Sequence, residues 1–322
     1  MRPTRGCQAA LAAKEVRSVL ITGANAGVGK EVARQLARRP EVEKVYLGVR
    51  NPAKGAAARA ELEAATSRRV FEVVEVDVAD LVSARKAAEN LPAPVDGLLM
   101  NAGGAGGKTP IALTSCGATE IVASNVLGHA VLLETLLAQR KLTTVAIWTG
   151  SEAARGVPAM GIPRPAFPTT SAAELESVID GSWYRGHKFK PMIAYAHAKY
   201  LAALWLAAEA RRHPKVRMLT VSPGGTRGTD AARDMNPVQR FVYNKIIMGV
   251  VMPLRGQAHT VDVDAARDVD ALFDDRYGNG VFYASKENRL TGALVDQAEI
   301  FPDLGDRAFQ DNAYAAVHRF ID

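Results

Sequence analysis

Tyr195 and Lys199 stand four positions apart in Tyr195-Ala196-His197-Ala198-Lys199, so on a helix they share one face. A free phenol has a pKa near ~10, and an ammonium group within about 4–6 Å favours the phenolate. Such a tyrosine exchanges a proton with a carbonyl or hydroxyl oxygen near neutrality. Alone, the pair is common by chance, and its weight comes from what precedes it. Thr22-Gly23-Ala24-Asn25-Ala26-Gly27-Val28-Gly29 is a glycine-rich turn near the start of the chain. Glycines there permit a tight turn and a close approach of backbone to a pyrophosphate. A helix following it offers free N–H groups and a positive dipole end to phosphate. Further on, Leu47-Gly48-Val49-Arg50-Asn51 holds no carboxylate to accept hydrogen bonds from an adenosine ribose 2′-hydroxyl. Arg50 suits a 2′-phosphate instead, which favours NADPH over NADH. Lys54 adds charge nearby or points to water.

These residues need a scaffold, and the pattern supplies one. Short β-branched runs at Val16–Thr22, Val42–Val49, Val70–Val78, Val95–Asn101, Thr144–Thr149 and Val216–Ser222 read as buried strands. Helical patterns at Lys30–Arg39, Ala53–Thr66, Ala79–Leu91, Ala118–Leu142 and Ala196–Arg212 separate them. This alternation predicts an α/β fold: a single doubly wound Rossmann domain over residues 1–322, with a mostly parallel sheet and helices on both faces. Later, Val261–Phe273 reads as a helix, Gly280–Tyr283 as a short final strand, and the tail from Phe301 to Ile321 as helical towards its end. Three segments break the rhythm. Residues 1–15 form an N-terminal extension. Residues 152–190 form a Pro- and Gly-rich insert before Tyr195, with a capping-box signal at Ser171-Ala172-Ala173-Glu174. Residues 226–260 read as a substrate lid, apolar from Phe241 to Leu254. The insert and the lid both follow strand ends, where an open parallel sheet places its ligands.

The 322 residues are 48% apolar and 23% charged, the mix of a soluble globular protein rather than a disordered or disulfide-stapled one. The net charge is +6, with Lys and Arg dispersed in pairs and short clusters. No single element gathers them, so nucleic acid is not an expected partner. Cys7 and Cys116 are far apart and lack metal-ligand neighbours, so neither a disulfide framework nor a metal site is expected and a cytoplasmic location is the default. The N-terminus lacks the apolar run of a signal peptide. No stretch is expected to span a bilayer, Ile246–Met252 being far too short. Peripheral membrane attachment through that run is a weaker reading than a lid.

Ordered together, these motifs resemble the short-chain dehydrogenases/reductases from about Val16 to Thr229. Thr22-Gly23-Ala24-Asn25-Ala26-Gly27-Val28-Gly29 is similar to that family's cofactor turn. Asp77-Val78 falls where the family contacts adenine, and Asn101-Ala102-Gly103 matches its signature after the fourth strand. Asn125, in Asn125-Val126-Leu127-Gly128-His129, falls on the family's structural and proton-relay asparagine. Ser151, Tyr195 and Lys199 fall on its catalytic serine, tyrosine and lysine, and Pro223-Gly224 on its nicotinamide-side loop. The resemblance implies Asn125, Ser151, Tyr195 and Lys199 as the catalytic set. It implies Thr22, Gly23, Asn25, Ala26, Gly27, Val28, Gly29, Arg50, Asn51, Asp77, Val78, Asn101, Ala102, Gly103, Tyr195, Lys199, Pro223, Gly224 and Thr226 as cofactor contacts. Ala198 departs from the usual serine before the lysine. Thr149 is a weaker alternative to Ser151, and Thr229 to Thr226.

Ser151 and Tyr195 stand 44 positions apart, a long insert similar to the retinol-dehydrogenase and protochlorophyllide-reductase branches and to monomeric carbonyl reductases. The implied activity is NADPH-dependent reduction of a carbonyl, or oxidation of the alcohol, in a bulky and fairly apolar small molecule. Alternatives are reduction of an activated C=C bond and a non-catalytic NADP(H)-sensing module. The insert is in place to cover the helix face at Ala196–Arg212 that pairs in oligomeric members, so the chain is expected as a monomer or homodimer. His129, His187 and His197 read as structural or surface histidines.

Overall fold

A computed structural model describes residues 15–105, 109–186, 189–227 and 257–322. Its main sheet is built from β1 (Ser18–Thr22), β2 (Lys44–Val49), β3 (Phe71–Glu75), β4 (Val95–Met100), β5 (Leu142–Thr149), β6 (Arg217–Val221), β9 (Phe282–Ser285) and β10 (Leu294–Asp296). Two two-residue strands, β7 (Thr226–Arg227) and β8 (His259–Thr260), pair apart from it. The strand order in the main sheet is β10-β9-β6-β5-β4-β1-β2-β3. Every neighbouring pair is parallel except the edge pair β9–β10. Order reverses between β1 and β4, the switch point at which doubly wound sheets take their ligands. The turn after β1 opens there.

The helices are α1 (Gly27–Ala37), α2 (Pro52–Thr66), α3 (Leu81–Glu89), α4 (Glu120–Ala138), α5 (Ala172–Ile179), α6 (Pro191–Arg212), α7 (Val261–Phe273) and α8 (Arg307–Ile321). One apolar layer joins Val19, Ile21, Leu47 and Leu99 of the sheet to Val32 and Leu36 of α1 and Val269 and Leu272 of α7. The other joins Leu20, Leu98, Met100 and Trp148 to α3, α4, α6 and α8. Strands covered on both faces need continuous apolar runs rather than alternation, which is why the sheet was legible as such runs.

Three departures from the sequence reading have physical causes. The helix anticipated over Ala118–Leu142 ends at Ala138, because Arg140 turns left-handed (φ 55°) and Leu142 opens β5. The edge strand β10 is three residues long and carries no pattern to announce it. Contrary to the expectation that no stretch is long and apolar enough for a membrane, α4 reaches a mean hydropathy of 1.6 over an 18-residue window. That window is 78% buried inside the fold, between the sheet, α3 and α6, as befits a core helix.

The insert before Tyr195 is ordered around aromatic side chains. Phe167, Trp183 and Tyr184 pack against His197 of α6, and Phe167 also meets Tyr200 and Phe309. With α8 they cover α6, which is buried on nearly all sides from Ala194 to Ala210. The capping signal forms by half. Ser171 accepts the Glu174 N–H at 3.3 Å, while Glu174 turns its carboxylate to Thr169 instead of to the cap. Cys116 is a free thiol. Cys7, His187, most of the N-terminal extension and most of the anticipated lid lie outside the described residues.

Candidate functional site

The turn after β1 is fastened to β2, with Gly23 N–H donating to the Gly48 carbonyl at 2.8 Å. Gly23 and Gly27 take positive φ (70° and 57°). A Cβ on Gly29 would stand 2.5 Å from Asn101 Nδ2 and 2.8 Å from the Gly23 carbonyl oxygen, so a side chain there has no room. Ala26, the residue before α1, supplies no capping side chain, and no acid lies in the first turn. By contrast α2 and α3 are capped by Asn51 and Asp80. The N-terminal N–H groups of α1 are thus left with a positive field and no internal acceptor, the requirement for binding a pyrophosphate. Residues 22–29 fit the dinucleotide the sequence implied.

Arg50 closes β2 with its side chain 74% exposed, and its Nε lies 3.9 Å from Asp77 Oδ2. The two positions assigned to the adenosine end are therefore adjacent across β2 and β3. So loose and exposed an ion pair holds Arg50 weakly, leaving the guanidinium free to turn to a phosphate. Asn51 serves its own helix, its Oδ1 accepting the Lys54 N–H at 3.0 Å. Asp77 Oδ1 accepts the Ala79 N–H at 3.0 Å. Val78 lies against α4, where its carbonyl meets Gly128; a Cβ at that glycine would be 1.9 Å from the oxygen.

Asn101 leaves β4 and returns to the turn, its Nδ2 donating to the Thr22 carbonyl at 2.9 Å. Thr22 Oγ1 accepts the N–H groups of Asn101 and Ala102, each at 2.9 Å. Gly103 sits over Asn125, and a Cβ on it would be 2.4 Å from Asn125 Oδ1. Asn125 grips Gly104 from both sides: Oδ1 accepts its N–H at 3.1 Å, and Nδ2 donates to its carbonyl at 2.8 Å.

Asn125 lies in a π-helical turn, Ala123–Leu127, within α4. Three side chains account for the turn by occupying carbonyls four residues back. Ser124 Oγ donates to Glu120 O at 2.7 Å, Asn125 Nδ2 to Ile121 O at 2.7 Å, and His129 Nδ1 faces Asn125 O at 3.3 Å. Side chains inserted into the helical ladder displace the regular bonds, and the turn widens. His129 is fully buried and held down to about 3 by that burial.

Ser151 follows β5, and its Oγ accepts the Ala153 N–H at 3.1 Å. Tyr195 and Lys199 rise from α6 beside it. The Ser151 hydroxyl contacts Tyr195, favouring the ionised phenol, but burial outweighs it and pushes the phenol up to about 12. Lys199 is 3% exposed; its Nζ donates to the Thr149 carbonyl at 2.8 Å and lies 4.1 Å from the centroid of the Trp148 ring and 5.6 Å from that of Tyr195. Burial lowers the ammonium to about 7. The anticipated depression of Tyr195 by Lys199 is thus absent from this structure, because both groups are desolvated and the lysine is turned to a carbonyl. Pro223 and Gly224 follow β6, with Gly224 at φ 103°. Arg267 Nη1 donates to the Ser222 carbonyl at 3.1 Å behind them. Thr226 lies in β7, whose backbone pairs with His259 of β8. The weaker alternative Thr149 is 6% exposed, and its side chain turns to Asp268. Thr229 falls outside the described residues.

Sequence reasoning missed two further groups near the lysine. Trp148 lies beneath its ammonium. Asp268 of α7 is fully buried, and burial followed by repulsion from Asp264 pushes it up to about 8, while Arg267 and Lys199 pull it down. Only the four-residue spacing of Asp264 and Asp268 hinted at this, and that spacing is ordinary on a helix.

Glycine turn, Asn101, Asn125, Ser151, Tyr195 and Lys199 all lie at the carboxyl edge of one parallel sheet, around its switch point. Fold and site define a doubly wound α/β protein carrying a glycine-rich turn after β1, a Ser and a Tyr-x-x-x-Lys pair. The sequence profile of the family described as short chain dehydrogenase matches residues 17–162. Bovine (Bos taurus) retinol dehydrogenase 12 is 39% identical over 124 residues, 38% of this chain and 39% of that protein. The short-chain dehydrogenase/reductase prx1 of Penicillium roqueforti is 31% identical over 222 residues, 68% of this chain and 59% of its own. The matched segment therefore spans only about two-fifths to three-fifths of the length of these relatives. The structure of NADPH-bound carbonyl reductase from chicken fatty liver superposes with a TM-score of 0.57 at 19% identity, covering 87% of this chain and all of that one, a likeness of fold. Over residues 17–162 the chain is similar to the short chain dehydrogenase family, and its relatives fall in several branches, retinol dehydrogenases among them.

Proposed function

We propose that the protein is an NADP(H)-dependent oxidoreductase that reduces the carbonyl, or oxidises the corresponding alcohol, of a bulky and fairly apolar small molecule. The observation that carries this reading is the meeting of Ser151, Tyr195 and Lys199 at the same carboxyl edge of the sheet as the uncapped N-terminus of α1, with Arg50 exposed at the adenosine end. The relatives named for retinol and the NADPH-bound carbonyl reductase support cofactor and substrate class. NADP(H), when bound, supplies or takes the hydride. Residues 22–29 hold its pyrophosphate, Arg50 its 2′-phosphate, Asp77 and Val78 its adenine side, and Asn101 to Gly103, Pro223, Gly224 and Thr226 its nicotinamide side.

Ser151 and Tyr195 hydrogen-bond the substrate oxygen. Tyr195 donates the proton in the reduction direction and accepts it in the reverse. Lys199, once turned from the Thr149 carbonyl, stabilises the phenolate. Asn125 holds the widened turn of α4 and with it the route by which the proton is replaced. The described residues act as one Rossmann domain, the insert 152–190 shaping the substrate side, with the chain working as monomer or homodimer in the cytoplasm.

Titration with NADPH and NADH, followed by nicotinamide fluorescence and a carbonyl substrate screen, tests the reading. Tight NADPH binding, weaker NADH binding and turnover lost in Tyr195→Phe with NADPH binding kept are the expected results. Binding of neither nucleotide, or turnover retained in Tyr195→Phe, would overturn it.

A further inference from the structure

At the far end of α6 from Tyr195, three helices bring metal-ligand side chains together. Glu134 of α4, Glu209 of α6 and His318 of α8 offer ligand atoms that all lie within 4.8 Å of one another. Glu209 follows Tyr195 by fourteen residues, about 21 Å along a helix, so this cluster is separate from the proposed active site.

The imidazole is already oriented. His318 Nδ1 lies 2.9 Å from the Tyr314 carbonyl, which can only accept, so Nδ1 carries the hydrogen. Nε2 is left facing Glu134 Oε1 at 3.1 Å. A backbone carbonyl holding the distal N–H is the usual support of a metal-bound histidine. Among the described residues that approach is the polar contact Oε1 of Glu134 makes, and it pairs the two groups when the imidazole is protonated. Glu209 is 1% exposed, and neither of its carboxylate oxygens receives a hydrogen bond. Its nearest partner is His213 Nε2 at 3.4 Å, on the half-exposed rim. Arg212 is spent elsewhere, on the Ala208 carbonyl and Asp311 and over the Tyr314 ring.

A carboxylate only 1% exposed, that of Glu209, facing the half-buried one of Glu134 is costly without a shared cation. Ligands of a tetrahedral ion at about 2.0–2.1 Å stand about 3.3 Å apart; His318 and Glu134 already stand 3.1 Å apart, and the three ligand atoms, within 4.8 Å of one another, would draw in on the ion. The mixed nitrogen and oxygen set suits zinc rather than magnesium or calcium, which prefer oxygen alone. We propose that Glu134, Glu209 and His318 form a structural zinc-type site, its fourth position left to water, that fastens the C-terminal helix α8 to α4 and α6.

The full chain, stripped with EDTA, is titrated with Zn²⁺ by calorimetry and with Co²⁺ by visible absorption, and its melting is followed with and without Zn²⁺. One equivalent bound, a tetrahedral Co²⁺ spectrum and a zinc-dependent rise of several degrees in melting temperature are expected. Glu209→Gln and His318→Gln should each weaken binding about tenfold or more and abolish the rise, while NADPH binding, read as a folding control, stays as in the parent. Absence of stoichiometric binding in the parent, or parent-like binding in both variants, would overturn the site. So would zinc binding with no change in melting.

Discussion

Thr22 Oγ1 and His129 Nε2 stand 2.9 Å apart, joining the nucleotide turn after β1 to the widened turn of α4. Each group in the contact has one consistent role. The Asn125 carbonyl can only accept, so His129 Nδ1 carries the hydrogen and Nε2 is a lone pair. Thr22 donates to it while its oxygen accepts two N–H groups, from Asn101 and Ala102. One hydroxyl, itself fully buried with His129 and Asn125, thus closes a network at the switch point. Thr22→Val should leave the imidazole and two amides short of a partner, costing about 1–3 kcal/mol. Thr22→Ser should keep most of that stability. Urea unfolding of both variants decides it; equal losses would show that packing rather than the hydroxyl matters.

The same network predicts a pH dependence. Burial holds His129 down to about 3 and His197 to about 4, so both stay neutral in the fold while the unfolded chain protonates them below about 6.5. The unfolded state then binds more protons, and stability falls as the pH drops through that window. Asp268, pushed up to about 8, and Glu209, pushed up to about 7, both by burial first, hold protons in the fold that the unfolded chain releases and so oppose this trend; the histidines are read from the difference between parent and variant. From pH 6.5 to 5 the urea midpoint of the parent should lose ground relative to that of a His129→Gln/His197→Gln protein. An unchanged slope in the double variant would sink the assignment.

Most of the scaffold is legible in sequence because two-sided burial writes each strand as a continuous apolar run. The glycine turn is equally legible, since close approaches admit no other residue. Elements set by tertiary context are not. The π-helical turn depends on three side chains reaching carbonyls four residues back, and nothing in the alternation of apolar positions reports it. Lys199 was placed by spacing on the tyrosine's face, but its bond to the Thr149 carbonyl and its neighbour Asp268 arise from strands and helices remote in sequence. The tail was silent because α8 is written as an ordinary amphipathic helix, and only the folded chain shows that it covers α6.

Arg50 carries the cofactor prediction. Its pairing with Asp77 at 3.9 Å is too loose and exposed to hold it, so its charge is available to a 2′-phosphate. A charge-assisted contact of this kind contributes about 1.5–3 kcal/mol. Arg50→Asp should raise the NADPH dissociation constant roughly ten- to hundredfold. It should also improve NADH binding by offering the ribose hydroxyls an acceptor. Fluorescence titration of both nucleotides measures the switch. A parallel loss for NADPH and NADH would assign Arg50 to architecture instead.

Gly29 and Gly128 separate nucleotide binding from stability. In Gly29→Ala the new methyl meets Asn101 Nδ2, a side-chain atom, and the Gly23 carbonyl, both at the nucleotide turn. In Gly128→Ala it would lie 1.9 Å from the Val78 carbonyl, so α4 and the chain after β3 must move apart. Overpacking typically costs about 1–3 kcal/mol, and a clash with backbone has no rotamer to relieve it. Gly128→Ala should therefore lose at least about 3 kcal/mol in urea unfolding. Gly29→Ala should lose less stability yet weaken NADPH binding about tenfold or more, because the backbone that must approach the pyrophosphate is pushed out of place. If Gly128→Ala melts like the parent, the contact of α4 with Val78 is not the constraint that fixes this helix. If Gly29→Ala binds NADPH unchanged, the turn after β1 is not the pyrophosphate site.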